Sequence, residues 1–357
     1  MSHPITKHKM KKALIIITLS TVFFSCKKNP SDTGNNPPGG GNTIDTIGTV
    51  YAAGYRYNNT APKTIATYWR GSNVVSLSDG TKDAVASGIT LVGNDVYVCG
   101  YEATGATTAI VKYWKNGTAV NLTDGTKAAY ASSIAVSGTD IYVAGHEYNA
   151  AGNPVAKYWK NGTAITLTDG TKYASANSIV IAGADVYVAG YEYIASGASI
   201  AKYWKNGTAI NLSNGTTNYF ANAIAVNGSD VYVAGSVSAF SISDKAYWKN
   251  GVFISLPAVL NAATNSVVVN QGSVYVGGSD GQKAVYWKDG LKNALNNNSS
   301  ANEYVTSIYV FGGKVYCGGY RDYLGSGNFV ATVWAFGGTI ELYTATKSKV
   351  NSIYVVN

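Results

Sequence analysis

"YWKNGTAINLSNGT" at residues 203–216 is nearly a copy of "YWKNGTAITLTDGT" at 158–171, which in turn resembles "YWKNGTAVNLTDGT" at 113–126. A chain that repeats itself in this way builds its core by adding like units, so its 357 residues do not imply two or three separate domains. Seven tryptophans mark the period: Trp69, Trp114, Trp159, Trp204, Trp248, Trp287 and Trp334 are spaced by 45, 45, 45, 44, 39 and 47 residues. Seven units are therefore expected.

Within one unit, "SIVIAG" (178–183), "DVYVAGYEY" (185–193), "IAKYWKNG" (200–207) and "TAINLS" (208–213) are short runs rich in β-branched and aromatic residues, each bounded by Gly, Asn or Asp. Four such runs predict one four-stranded antiparallel sheet. The first two are joined by turns ending at Asp140, Asp185 and Asp230, and the last two by Asn-Gly pairs at Asn116, Asn161, Asn206 and Asn250. Asn-Gly tolerates the two positive φ angles of a type I′ hairpin turn. The Asn-Gly-Thr triplets also match the N-glycosylation pattern, but the turn accounts for them.

Units of this length with four strands predict an all-β fold, a seven-bladed β-propeller of four-stranded antiparallel blades over residues 49–357. Adjacent Tyr and Trp on the third strand, as at Tyr158 and Trp159, point to opposite faces, so one blade supplies aromatic packing to both neighbours. The propeller part opens on "TVYAAGYRY" (49–57), which matches a second strand, and the chain ends on "NSIYVVN" (351–357), which matches a first strand. Residues 351–357 are therefore expected to complete blade one and remove the open edge. Such closure is similar to that of WD-repeat propellers, although neither the WD nor the kelch signature is present.

The N-terminus carries Lys7, Lys9, Lys11 and Lys12, an apolar run from Ala13 to Leu19, and "TVFFSC" ending at Cys26. This resembles the signal of a bacterial, Bacteroidota-like lipoprotein, with small Ser25 just before the cysteine. The resemblance implies cleavage before Cys26, lipidation of its thiol and attachment to the outer membrane. The apolar run is about half the roughly 20 residues that a transmembrane helix needs. "MKKALIIITLS" from Met10 is itself a complete signal start. Residues 1–25 thus read as the signal peptide and 26–48 as the lipidated cysteine with a Pro-, Gly- and Asn-rich tether, reaching about 25 Å.

Four of the 27 basic residues and none of the 19 acidic ones precede Cys26, so the chain from Cys26 onward carries a net charge of only +4. With Arg56, Arg70 and Arg321 as its arginines and no basic run after Lys27 and Lys28, it lacks a nucleic-acid footprint. Cys99 and Cys317, the remaining cysteines, replace small residues in "VYVAG"-type strands and read as buried free thiols. No cofactor is implied. A metal site or a Ser-His-Asp triad is disfavoured because His146 is the last histidine in the chain.

Candidate ligand residues follow the "AG" of each second strand and are expected in the loops between second and third strands, part of the face where propellers commonly bind ligands. They are Tyr55-Arg56, Tyr101-Glu102, His146-Glu147, Tyr191-Glu192 and Tyr320-Arg321, with Ser236-Val237 and Ser279-Asp280 at the other two positions. One reading is a polarised ring at the channel mouth, suited to a glycan or a protein ligand, with Arg56 and Arg321 brought together by closure as an exposed cationic arc. The other is that these pairs end strands with amphipathic side chains. A lipid-anchored binding scaffold in the cell envelope is the leading expectation, and a glycan hydrolase or lyase the alternative. Two carboxyls at glycosidase spacing would be needed for hydrolysis. Symmetric Glu102, Glu147 and Glu192 lack the contrasting environments of an acid and a base. The sialidase aspartate-box pattern is absent, and "DGT" at Asp79, Asp124 and Asp169 reads as turn chemistry.

Overall fold

Each apolar run of the repeat becomes a strand. In blade two these are Ala84–Val92, Asp95–Ala103, Ala109–Lys115 and Thr118–Asn121, paired in that order as one antiparallel sheet. The computed structural model describes residues 48–58, 63–238, 245–257, 262–295, 301–323, 329–342 and 347–357. Seven such four-stranded sheets form a ring of blades, so the protein is a seven-bladed β-propeller. The expected signal, Cys26 and nearly all of the expected tether lie outside the described residues.

The Asn-Gly turns have the predicted geometry: Asn116 and Gly117 have φ of 51° and 86°, and the equivalents in blades three to five agree closely. Each Asn also fastens its turn to the second strand. The Asn116 side chain accepts from the backbone N–H of Val96 (2.9 Å) and donates to Asp95 (2.7 Å), and Lys115 pairs with the same Asp95 at 2.8 Å. The "DGT" segments close as expected, with Asp79 accepting from both the N–H and the hydroxyl of Thr81.

The "AG" glycine has a different cause. Every first strand carries one extra residue opposite the second strand, a β-bulge, placed for example between Ala86 and Gly88. A Cβ on the glycine facing that bulge, at Gly54, Gly100, Gly145, Gly190, Gly235, Gly278 or Gly319, would lie 1.7–2.2 Å from a backbone carbonyl oxygen of the first strand. Only glycine fits there. The extra residue is pushed into the central channel, which has a volume of about 140 Å³.

There it latches the next blade. Asn177, Asn222, Asn265 and Asn351 donate to backbone carbonyls of Ala221, Thr264, Val305 and Ala86 at 2.7–2.9 Å, and Thr306 donates to Val350 at 2.9 Å. The residue after the bulge often completes the pair, as where Ser307 accepts from the N–H of Ile353 at 3.1 Å.

Between blades, aromatic packing follows the alternation of the third strand. Trp204 of blade four and Tyr158 of blade three share one buried cluster with Ala174, Ile179 and Val188. Trp114 likewise packs among Tyr51, Ala53 and Ala66 of blade one. All seven tryptophans are 0–1% exposed, at about 1.5–3 kcal/mol or more for each large apolar side chain removed from water.

The ring closes as expected. The last strand, Ser348–Val356, pairs antiparallel with Thr49–Tyr57 and is the inner strand of blade one, where Val350, Ile353 and Val355 pack with Trp69 and with blade seven. Removal of residues 348–357 exposes both blade faces there and deletes three aliphatic side chains that are 0–3% exposed. The expected loss is about 5–9 kcal/mol, comparable to the whole stability of a typical domain. The truncated chain should lack a cooperative urea transition; a transition at the full-length midpoint would show that the closure contributes little.

Candidate functional site

The sequence-predicted pairs lie at the ends of the second strands rather than in the loops beyond them: Tyr101 and Glu102 fall inside Asp95–Ala103, and Tyr55 and Arg56 inside Thr49–Tyr57. Strand alternation therefore sends the two members of each pair to opposite faces of the blade. By register, Val98, Gly100 and Glu102 share a face with Ile110, Lys112 and Trp114, which is the face turned to the preceding blade. Tyr101 lies on the other face with Cys99 and Val111, against blade three.

The charged members are engaged within their own blades. Glu102 pairs with Lys112 at 3.0 Å, Glu147 with Lys157 at 2.5 Å, and Glu192 with Lys202 at 2.5 Å. Arg56 donates to the Ser76 hydroxyl at 3.0 Å. Asp280 pairs with Lys292 at 2.7 Å.

Arg321 departs furthest from the exposed arc expected of it. Its Nε donates to Glu303 at 2.9 Å, one Nη donates to Thr339 at 3.2 Å, and the other lies 3.7 Å from Glu341. The Arg321 side chain is only 11% exposed, and Glu303 and Glu341 are buried. Burial raises Glu341 to about 7, with Arg321 pulling the other way. This is a structural ion cluster inside blade seven.

The aromatic members do converge. Tyr55 is flanked by Tyr57, Tyr101 and Tyr320, and burial followed by these neighbours pushes its hydroxyl far above the ordinary range. Tyr101 meets Tyr130 edge-on at 4.7 Å, and burial raises it to about 12. Tyr320 stacks on Tyr304 at 4.9 Å, and Tyr191 meets Phe220 at 4.8 Å. His146 lies 5.4 Å from the Tyr130 ring, with its Nδ1 3.2 Å from the Ser175 hydroxyl.

Where blades one and two meet, this mouth opens into a cleft of about 910 Å³. Its walls carry Tyr55, Tyr57, Tyr101 and Tyr130, the 103–109 segment of blade two, and the polar side chains of Lys63, Thr64, Asp83 and Lys349. Asp83 is held by Lys63 (3.2 Å) and by the backbone N–H of Thr64 (3.0 Å). Lys349 places its ammonium 4.7 Å from the centre of the Tyr320 ring, and desolvation lowers it to about 8.

Of these, Tyr57, Lys63, Asp83, Tyr130 and Lys349 were not among the sequence candidates. Alignment of the first strands on their bulges was the available signal: Lys349 occupies the position held elsewhere by Val85, Tyr130, Ser175, Phe220, Ala263 and Tyr304. Among the described residues no three His, Cys, Asp or Glu side chains are grouped to hold a metal ion.

No protein-family model matches the chain. No curated protein matches it either. Among solved structures it is similar to a puromycin-hydrolyzing peptidase of Mycobacterium tuberculosis, with TM-score 0.47 and 13% identity over 75% of this chain and 46% of that one, so it spans less than half of that protein. It is also similar to the β-propeller domain of the Trilobed protease from Pyrococcus furiosus, described as having an open velcro topology, with TM-score 0.49 and 8% identity over 84% of this chain and 96% of that one. Neither likeness bears on activity.

The blade-seven cluster yields a prediction. Arg321→Gln removes the guanidinium that counters buried Glu341 and hydrogen-bonds Glu303, and should cost about 3–5 kcal/mol in a denaturant titration; an unchanged midpoint would mean the cluster is solvated. Because the native state raises Glu341 from 4.5 to about 7, it binds more protons than the unfolded chain between those values. Stability therefore falls as pH rises through that window. Glu341→Gln should flatten the fall.

Proposed function

We propose that the protein is a lipid-anchored propeller of the cell envelope that binds glycans in the tyrosine-lined cleft between blades one and two. The observation that carries this reading is the cleft itself: four tyrosines on the walls of a space of about 910 Å³, with threonine hydroxyls and charged groups between them. A pyranose ring offers a face of C–H bonds and a rim of hydroxyls. Tyrosine matches both, with an apolar face for stacking and a phenol tip that hydrogen-bonds. Volumes of roughly 300–1,000 Å³ are usual for small-ligand sites, so a short oligosaccharide fits.

Binding is favoured over hydrolysis by the acid inventory. Among the described residues that line the cleft, Asp83 is the one carboxylate, and it is committed to Lys63 and Thr64. A paired acid and base, or acid and nucleophile, needs two. The lipid anchor rests on the resemblance of residues 1–26 to a lipoprotein signal, with the 26–48 tether lifting the propeller off the outer membrane.

Glycan-array binding followed by calorimetry tests the binding half. Tyr57→Ala and Tyr130→Ala, at partly exposed positions, should each weaken the best oligosaccharide about tenfold or more, which is about 1.4 kcal/mol. Release of new reducing ends by the wild type would replace the scaffold reading with a hydrolase. For the anchor, Cys26→Ser should give an uncut, unlipidated precursor. A mutant that is processed and membrane-bound like the wild type would remove the lipoprotein assignment.

A further inference from the structure

We infer that the cleft contains an anion subsite built around Lys349, and that the glycans it takes are carboxylated ones, with a uronic-acid carboxylate seated against the Lys349 ammonium beside Tyr55 and Tyr320. This rests on the glycan reading above and names its substrate class.

Three observations lead to it. The first is charge. Lys63, Lys82 and Lys349 line the cleft with a single carboxylate, Asp83, among its described lining residues, so its formal charge is +2. The second is the absence of compensation at Lys349. Lys63 is neutralised by Asp83, and the lysines of the neighbouring blades that sit beside the mouth, Lys112 and Lys157, are neutralised by Glu102 and Glu147. Among the described residues Lys349 makes no ion pair, and its ammonium lies 4.7 Å from the centre of the Tyr320 ring. The third is position. Lys349 stands directly opposite Tyr55 in the pairing of the closing strand, on the inner strand of blade one at the channel mouth. A bound sugar stacked on the tyrosine wall therefore has its substituents within the lysine's reach.

The groups around Lys349 are Tyr55 on the adjoining strand, Tyr320 of blade seven with Tyr304 stacked on it and Asp322 beside those two phenols, and Tyr101 and Asp83 across the cleft in blade two. The tyrosines Tyr55, Tyr101, Tyr304 and Tyr320 are all shifted upward and stay neutral at physiological pH. Lys349 is partly exposed along the cleft wall, and the protein packed around it lowers its ammonium to about 8. An incoming carboxylate supplies the missing counter-charge, and the pair is strengthened by the same packing.

The test uses uronic-acid oligosaccharides, each compared with its own methyl ester, so that only the charge differs. At pH 7 the acids should bind the full-length protein at least tenfold more tightly than their esters. That preference should fade as pH rises above about 8, when the unliganded lysine loses its proton. Lys349→Met should abolish the preference of acid over ester, and Lys349→Arg should restore part of it. The wild-type pH profile stands even if a variant folds poorly. Equal binding of acids and esters, or a preference that survives Lys349→Met, overturns the subsite and leaves the glycan reading intact. Failure of every oligosaccharide to bind in either form overturns both, as does capture of a peptide C-terminus with glycans silent.

Discussion

A blade of this protein is apolar on both faces, so neither face is buried until a neighbour covers it. Tyrosine and tryptophan at consecutive positions of the third strand enforce this: Trp204 turns to blade three, Tyr203 to blade five, and each interface is filled from both sides. Everything larger follows from that mutual dependence. A row of such blades has two uncovered ends. Bending the row into a ring removes them, and the closing strand, Ser348–Val356, locks the ring by joining the last residues to the first blade. The channel side is held by polar contacts, with Asn177, Asn222, Asn265 and Asn351 reaching from one blade to the next.

The alternation that packs the blades also sorts the chemistry of the mouth. On the tryptophan side of blades two to four the second strand ends in an acid that meets a lysine, as in Glu192 and Lys202, and these charges are satisfied locally. On the opposite side the strand ends in an aromatic ring, and in blades two and four that ring leans on the next blade, Tyr101 on Tyr130 and Tyr191 on Phe220. The result is a face whose exposed functional character is aromatic, with its charges tucked between blades. Such a face suits ligands that combine apolar surface with hydroxyls.

The architecture was legible in the sequence because repetition amplifies it. Trp69 through Trp334 set the count, Asn116-Gly117 and its copies set the turns, and the mismatch of "TVYAAGYRY" and "NSIYVVN" with a full unit revealed the closure. The role of the "AG" glycines was not legible, since the bulge they accommodate is a relation between two strands. Side-chain partners at the mouth were hidden for a similar reason. Tyr101 and Glu102 are adjacent in the chain yet sit on opposite faces, and Arg321 reads as a surface charge until Glu303 and Glu341 are placed around it. Lys349 lies at the far end of the chain from Tyr55 and becomes its neighbour only when the ring closes.

That last juxtaposition explains why one cleft stands out on a molecule of seven similar blades. Copying alone gives equivalent mouths at every interface, so a distinct site requires a break in the repeat. Two breaks coincide at the junction of blades one and two. The inner-strand position opposite Tyr55 becomes Lys349, and Ala103 stands where blades three and four carry Tyr148 and Tyr193. Blade six breaks the other way: Ser279 replaces the tyrosine, Ala263 replaces the inner aromatic, and only Gly281 and Gln282 separate its second and third strands. The aromatic arc is thus interrupted at blade six, while the cleft lies beside the pairing of the first and last strands of the propeller. The strand that stabilises the ring therefore also delivers the lysine on the cleft wall.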